Sequence, residues 1–371
     1  MKIQLEEGDL RAAVQAGVLS EAQAAGLTAL AATRAGHRAS LPAEDEPFEF
    51  FRGFAEIFIS IGLVILLSGV IGLISLAAGP AVAIFLPLIT AAITWWWAGY
   101  FARKRRMTLP SMVLTLAFAV SILVASFTFM AQQVDNVFEI DRLIAVVPLV
   151  LTTLAMVLWY RHFRLPFSMF VLGGSALLAT YSMVASDEVM MTIVMQDMSP
   201  MSGLFDLRQS PVFALATLIF GACSFVLGMW FDMKDPNRLG RHSATAFWLH
   251  LLAAPALVNT VALTLANSSA ESGMIWLIVM LAVVTLLALV IDRRSFLSAA
   301  IAYIAVVITW AIGEGGSLIS WTLMLLILGA LITAVGTWWV QLRGLVMRLL
   351  PDFPGKHRLP PYQHSSPARP E

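Results

Sequence analysis

Residues 54–78 read FAEIFISIGLVILLSGVIGLISLAA, with Glu56 the one charged side chain among them. A helix of that length reaches about 37 Å, enough to cross a hydrocarbon core of about 30 Å. In hydrocarbon the backbone N–H and C=O groups have only each other as partners, so such a run crosses as a helix. Outward from it the pattern recurs. Ten apolar segments alternate with short polar joints, at roughly 54–78, 81–101, 109–130, 142–161, 166–186, 211–231, 244–266, 273–291, 295–312 and 317–341. Composition agrees: 59% of the 371 residues are hydrophobic and 12% are charged, where a soluble domain carries about a quarter charged residues. The sequence therefore predicts an all-α, polytopic helical membrane protein of about ten transmembrane helices, and excludes a water-soluble fold. Its partner is the lipid bilayer.

Lys plus Arg and Asp plus Glu are 23 each, and this zero net charge argues against nucleic acid as a partner. Where the charges sit carries more information. With the N-terminus in the cytoplasm, 21 of the 23 basic residues fall on the cytoplasmic side, and only Arg142 and Arg208 lie opposite. Basic residues near span ends are retained in the cytoplasm, so the expected topology is N-in/C-in. Tryptophan gives a second check, because indole prefers the headgroup level. Trp95 to Trp97, Trp159, Trp230, Trp248, Trp338 and Trp339 lie at expected cytoplasmic ends, and Trp276, Trp310 and Trp321 at outer ends.

Residues 1–40 read as a cytosolic helical hairpin. A first helix carrying Leu10 and Val14 stops at Gly17, and Ser20-Glu21-Ala22-Gln23 is a capping box that opens a second. An acidic linker follows at 41–53, then the transmembrane domain at 54–343, then a cytosolic tail at 344–371 whose prolines predict disorder. The polar start is too long and acidic for the n-region of a signal peptide, so no cleaved leader is expected. The hairpin is too small to bury a core alone and is expected to dock on the membrane domain, on a second copy or on another membrane protein.

The pattern Asp9-Leu10, Val14, Ala16-Gly17-Val18-Leu19-Ser20 and Gln23-Ala24, followed by a multi-pass region, resembles a bacterial family of predicted inner-membrane proteins of unknown function that begin with a short cytosolic helical hairpin. The segments Phe247 to Pro255 and Asp292-Arg293-Arg294 are similar to parts of such proteins. The resemblance implies a bacterial inner-membrane location and carries no activity with it.

Polar groups inside spans are costly, so they are the first place to look for a site. His250 lies about two turns inside the seventh span, with Ser243 and Thr264 near its face and Pro255 downstream. His250, Asn259 and Thr264 are the candidate substrate-binding or proton-titrating residues, since imidazole changes charge near neutral pH. Against this, no second ionisable group stands at the same depth, and Asn259 points half a turn away, where it suits a bond between helices. Glu56 fits the positive end of its helix. Small-residue stripes at Gly62, Gly69 and Gly72, at Gly221, Ser224 and Gly228, and at Gly329, Thr333 and Gly336 predict close helix packing. Pro87, Pro148 and Pro255 predict kinks.

Two joints, 106–112 and 164–169, repeat a basic residue, Leu-Pro and Ser-Met, the spacing a duplicated helical hairpin would leave; convergence gives the same pattern, since proline favours a first helical turn and basic residues favour cytoplasmic joints. The outer joint 186–210 holds Met195, Met198 and Met201. Thioethers suit Cu(I), but methionine filling an apolar surface fits the neighbouring Val189, Ile193 and Val194 better. The single cysteine, Cys223, excludes an internal disulfide, and the zinc-protease, serine-hydrolase and phosphate-loop motifs are missing. No cofactor, metal or catalytic residue is assigned. Two function classes stay open: a membrane-anchored scaffold or sensor using the hairpin, and a small-solute permease with a polar site near His250.

Overall fold

The computed structural model describes residues 54–78, 85–132, 142–186, 203–235, 241–268, 270–297 and 318–352, with isolated positions outside these stretches. All its described elements are helices: α1 (Phe54–Ala78), α2 (Phe85–Ala98, continued by a π-helical turn Gly99–Lys104), α3 (Thr108–Ala131), α4 (Arg142–Phe163), α5 (Phe167–Val184), α6 (Pro211–Asp232), α7 (Arg241–Ala266), α8 (Ala270–Ile291), α9 (Leu318–Thr337) and α10 (Trp339–Leu349). Seven helices are long and apolar enough to cross a bilayer, and α9 with α10 adds an eighth if that bent pair is one span. The chain is a polytopic helical membrane protein.

The expected count of ten is not reproduced. The apolar part of α8, Ile275–Ile291, is shorter than the others. The ninth predicted span falls mostly outside the described residues, and the tenth is not straight. It bends by 71° at Trp338, so α10 runs past the expected domain boundary at residue 343 in a new direction. Much of the hairpin, the linker and the methionine-rich joint also lies outside the described residues. At Gly17 the backbone is left-handed (φ 71°), and the Val18 N–H donates to the Ala13 carbonyl at 2.9 Å, the geometry that ends a helix.

Among the described residues, two clusters of buried side chains are larger than the rest. Leu63 and Leu67 of α1, Ala91 and Ala98 of α2, Leu114, Phe118 and Ala119 of α3, and Met156, Trp159 and Phe163 of α4 form the first. The second joins Ala253, Ala254 and Val258 of α7 to Ala288, Leu289 and Ile291 of α8, with Phe296, Leu297 and Trp339. Met112, Phe247 and Trp248 connect α3 to α7 between them. Large apolar side chains on the outer faces, such as Leu73 (70% exposed), Leu158 and Ile219, are what lipid contact requires.

Not every expected packing residue is used alike. A Cβ on Gly221 would come within 2.9 Å of Leu257 and 3.0 Å of Ala256, so this glycine lets α6 approach α7 closely. Gly62, Gly69 and Gly72 differ: a Cβ there would meet nothing within 4 Å. The reason is the face α1 buries, which runs along Glu56, Ser60, Leu63 and Leu67 and turns the glycines away. Tryptophans divide similarly. Trp96, Trp230, Trp276 and Trp338 are exposed, as headgroup contact needs, whereas Trp159, Trp248 and Trp339 are buried in the protein. Pro87 is the third described residue of α2, and the segment before Phe85, which decides whether the helix kinks there, lies outside the described residues.

Glu56 does more than face its own helix. Its Oε2 accepts the backbone N–H groups of Thr108 and Leu109, both at 3.1 Å, and so caps the start of α3 from a neighbouring helix. Those donors have no partner in their own first turn. Glu56→Ala is expected to cost about 1.5–3 kcal/mol, because two hydrogen bonds to a charged acceptor are lost and their half-buried donors are left over. Thermal unfolding in detergent measures this. A melting temperature equal to wild type would refute the cap.

Candidate functional site

The site lies where α6 ends, α7 begins and α8 gives way to the Asp292-Arg293-Arg294 joint. Gly221 opposite Leu257 and Gly228 opposite His250 share one antiparallel register, seven residues on along α6 and seven back along α7. That register brings the imidazole of His250 against the bare backbone of Gly228, and a Cβ there would sit 2.9 Å from Cε1. One turn further, Asp232 is the last residue of α6. An anion is unfavourable at the negative end of a helix dipole, so this position calls for cationic partners.

It has them. His250 Nε2 donates to Asp232 Oδ2 at 2.9 Å. Arg293 Nε donates to the same oxygen at 3.1 Å, and Arg293 Nη2 pairs with Asp232 Oδ1, so guanidinium and carboxylate meet edge to edge. Arg293 Nη2 also donates to the Ser243 carbonyl at 3.1 Å. His250, Arg293 and Ser243 are fully buried, and Asp232 is 4% exposed. Phe225 and Phe296 close over the imidazole, with ring centroids 5.6 and 5.8 Å from it. His250 Nδ1 and Arg293 Nη1 are buried with no hydrogen-bond partner among the described residues. The arrangement can hold a charge pair out of water and orient an imidazole, with one ring nitrogen left over.

Beside it stands a second buried network. Asp292 Oδ1 accepts the Trp339 indole N–H at 2.6 Å, and Arg238 pairs with Asp292 Oδ2 at 3.1 Å. Arg238 and Asp292 both have left-handed backbones, at φ 57°, a conformation that costs an ordinary residue about 1–2 kcal/mol. Arg343 donates to the carbonyls of Leu289 at 3.1 Å and Pro360 at 2.6 Å. Pro360 and Leu359 are buried, so at these two positions the tail departs from the expected disorder.

The three candidate residues are not brought together. Thr264 lies about 21 Å along α7 from His250, where its hydroxyl accepts the Leu207 N–H at 3.0 Å and donates to Thr260. There it ties down the 203–210 loop, together with Asp206, which accepts Asn267 Nδ2 at 2.9 Å. Asn259 accepts the hydroxyl of Tyr303 through its side-chain oxygen. The residues that sequence reasoning missed are Asp232 and Arg293. The available signal was the acidic residue at a helix C-terminus.

Gly228→Ala is expected to cost about 1–3 kcal/mol, as overpacking in a well-filled core does. The ring cannot retreat, being held by Asp232 and flanked by Phe225 and Phe296. Unfolding in detergent reports the loss, and an unchanged melting temperature would show that the ring has room.

Among the described residues no group of three His, Cys, Asp or Glu side chains is placed to hold a metal ion. Comparisons with known proteins find no family model that matches the chain, no similar curated protein and no similar solved structure.

Proposed function

We propose that the chain is a bacterial inner-membrane protein, with both ends in the cytoplasm, that acts as a membrane-anchored scaffold or sensor and reads a partner through residues 1–40. It is not an enzyme on this reading. The supporting observation is the pairing of the charges buried at this end of the bundle: Asp232 is taken up by Arg293 and His250, and Asp292 by Arg238 and Arg343. A cluster whose buried carboxylates are held by buried cations, with His250 sealed from solvent, serves as an anchor better than as a pathway.

The second reading is a small-solute permease with its polar site at His250. Its support is the spare hydrogen-bonding capacity of His250 Nδ1 and Arg293 Nη1. Deleting residues 1–40 separates the two. The scaffold reading expects a co-purifying partner to be lost while the membrane domain remains folded; an unchanged set of partners would count against it. Reporter fusions at the two ends of the chain test the orientation, and the expected result is the cytoplasmic signal from both.

A further inference from the structure

Helix α10 has three faces. Trp339, Arg343 and Met347, four apart, are buried, the first two bonded at the end of α8. Leu342, Leu345 and Leu349, spaced three and four, form a second row that is 36, 57 and 77% exposed, with Trp338 at the bend before it and Val340 exposed apart from it. Gln341 and Arg348, seven apart and also exposed, lie beside that row. Such a division, with an apolar row next to a polar one, is the pattern of a helix lying in a membrane surface.

The direction of α10 fits the same role. Its eleven residues span about 16 Å, half of a crossing of about 30 Å, and it leaves α9 at 71°. Its level is fixed by the Trp339 indole on Asp292 and by Arg343 on the Leu289 carbonyl, both at the end of α8 next to the basic joint. The Arg294 guanidinium lies over the Trp339 ring at 5.6 Å. Helix α9, which leads directly into α10, is itself open on most sides, with Ile319, Leu323, Leu325 and Leu326 exposed.

We propose that α10 is an in-plane interfacial helix whose exposed apolar row is covered by the headgroup–acyl boundary of the leaflet on the Arg293-Arg294 side. The direct connection to α9, whose exposed apolar side chains need lipid, identifies the occupant. Gln341 and Arg348 then face the headgroups and water, and the Asp292 network holds the helix at that depth. The last predicted span thus ends at Trp338, and α10 rests on the membrane instead of crossing it.

The test uses the full chain with Cys223→Ser, reconstituted in nanodiscs of phosphatidylcholine and phosphatidylglycerol. Single nitroxide labels are placed by Leu342→Cys, Leu345→Cys, Leu349→Cys and Gln341→Cys, with Leu326→Cys in α9 as a depth reference. Collision with oxygen and with a neutral nickel chelate is then measured. Labels at 342, 345 and 349 are expected to favour oxygen at about 5–10 Å below the boundary, shallower than the label at 326, with the label at 341 favouring nickel. Three results would overturn the proposal. Nickel access at 345 and 349 equal to that at 341 would put the row in water. Protection from both reagents would mean that protein covers it, a second copy included. Depths at 345 and 349 matching that at 326 would make α10 part of a crossing.

Discussion

Asp232→Ala should be among the most damaging single substitutions in the chain, costing about 3–5 kcal/mol, the range seen when one partner of a buried ion pair is removed. The loss comes less from the missing attraction than from what remains. Arg293, fully buried, would keep its charge with only the Ser243 oxygens nearby, and the His250 imidazole would lose the acceptor that orients it. Asp232→Asn keeps an acceptor but removes the charge, so it should recover only part of the loss. Replacing both partners, Asp232→Leu with Arg293→Met, should cost less than Asp232→Ala alone, because no uncompensated ion is left inside. Unfolding of the purified protein in mixed detergent, followed by circular dichroism, gives all three values. An Asp232→Ala protein within about 1 kcal/mol of wild type, no more than an exposed ion pair is worth, would mean that the pair is open to solvent and that the cluster does not lock α6, α7 and α8 together.

The helices were legible from sequence and this cluster was not, for a physical reason. Hydrocarbon imposes a local rule: a run such as residues 54–78 must be apolar throughout, and that can be read without knowing its neighbours. The Asp232, His250 and Arg293 contact joins three elements, with 61 residues separating the carboxylate from the guanidinium. A search for ionisable groups at the depth of His250 passes over Asp232, because the last residue of α6 reads as part of the polar joint. Faces posed the same difficulty. Gly62 and Gly221 sit in equally apolar runs, yet only Gly221 meets a neighbouring helix, and the difference depends on which stripe each helix buries. The bend at Trp338 follows Gly336, which the sequence offers only as part of a packing stripe, and it is tied to Trp339 and Arg343 reaching the end of α8, contacts made across 47 and 54 residues.

The first cluster offers an independent test of how this bundle is held. Trp159 of α4 is 1% exposed. Its ring stacks on Phe118 with centroids 4.6 Å apart, meets Phe163 at 4.5 Å and meets Trp95 edge-on at 5.5 Å, so it joins α2, α3 and α4. Its N–H donates to Thr115 Oγ1 at 3.1 Å, and that hydroxyl in turn donates to the Ser111 carbonyl at 2.7 Å. Trp159→Ala should cost about 3–5 kcal/mol, the usual result of emptying a large aromatic site. In lipid the transfer share of that cost shrinks, and lost van der Waals contact supplies most of it. Trp159→Phe keeps the stacking with Phe118, and Thr115 still has its bond to Ser111, so the loss should fall to about 1 kcal/mol, one modest hydrogen bond. The same unfolding assay separates these outcomes, and equal losses for the Ala and Phe variants would show that the indole N–H, not the ring, holds the helices together. Since Trp159 and Asp232 share no partner, combining Trp159→Phe with Asp232→Asn should give a loss equal to their sum within about 0.5 kcal/mol. A larger coupling would show that the two clusters unfold as one unit through the Met112, Phe247 and Trp248 contact.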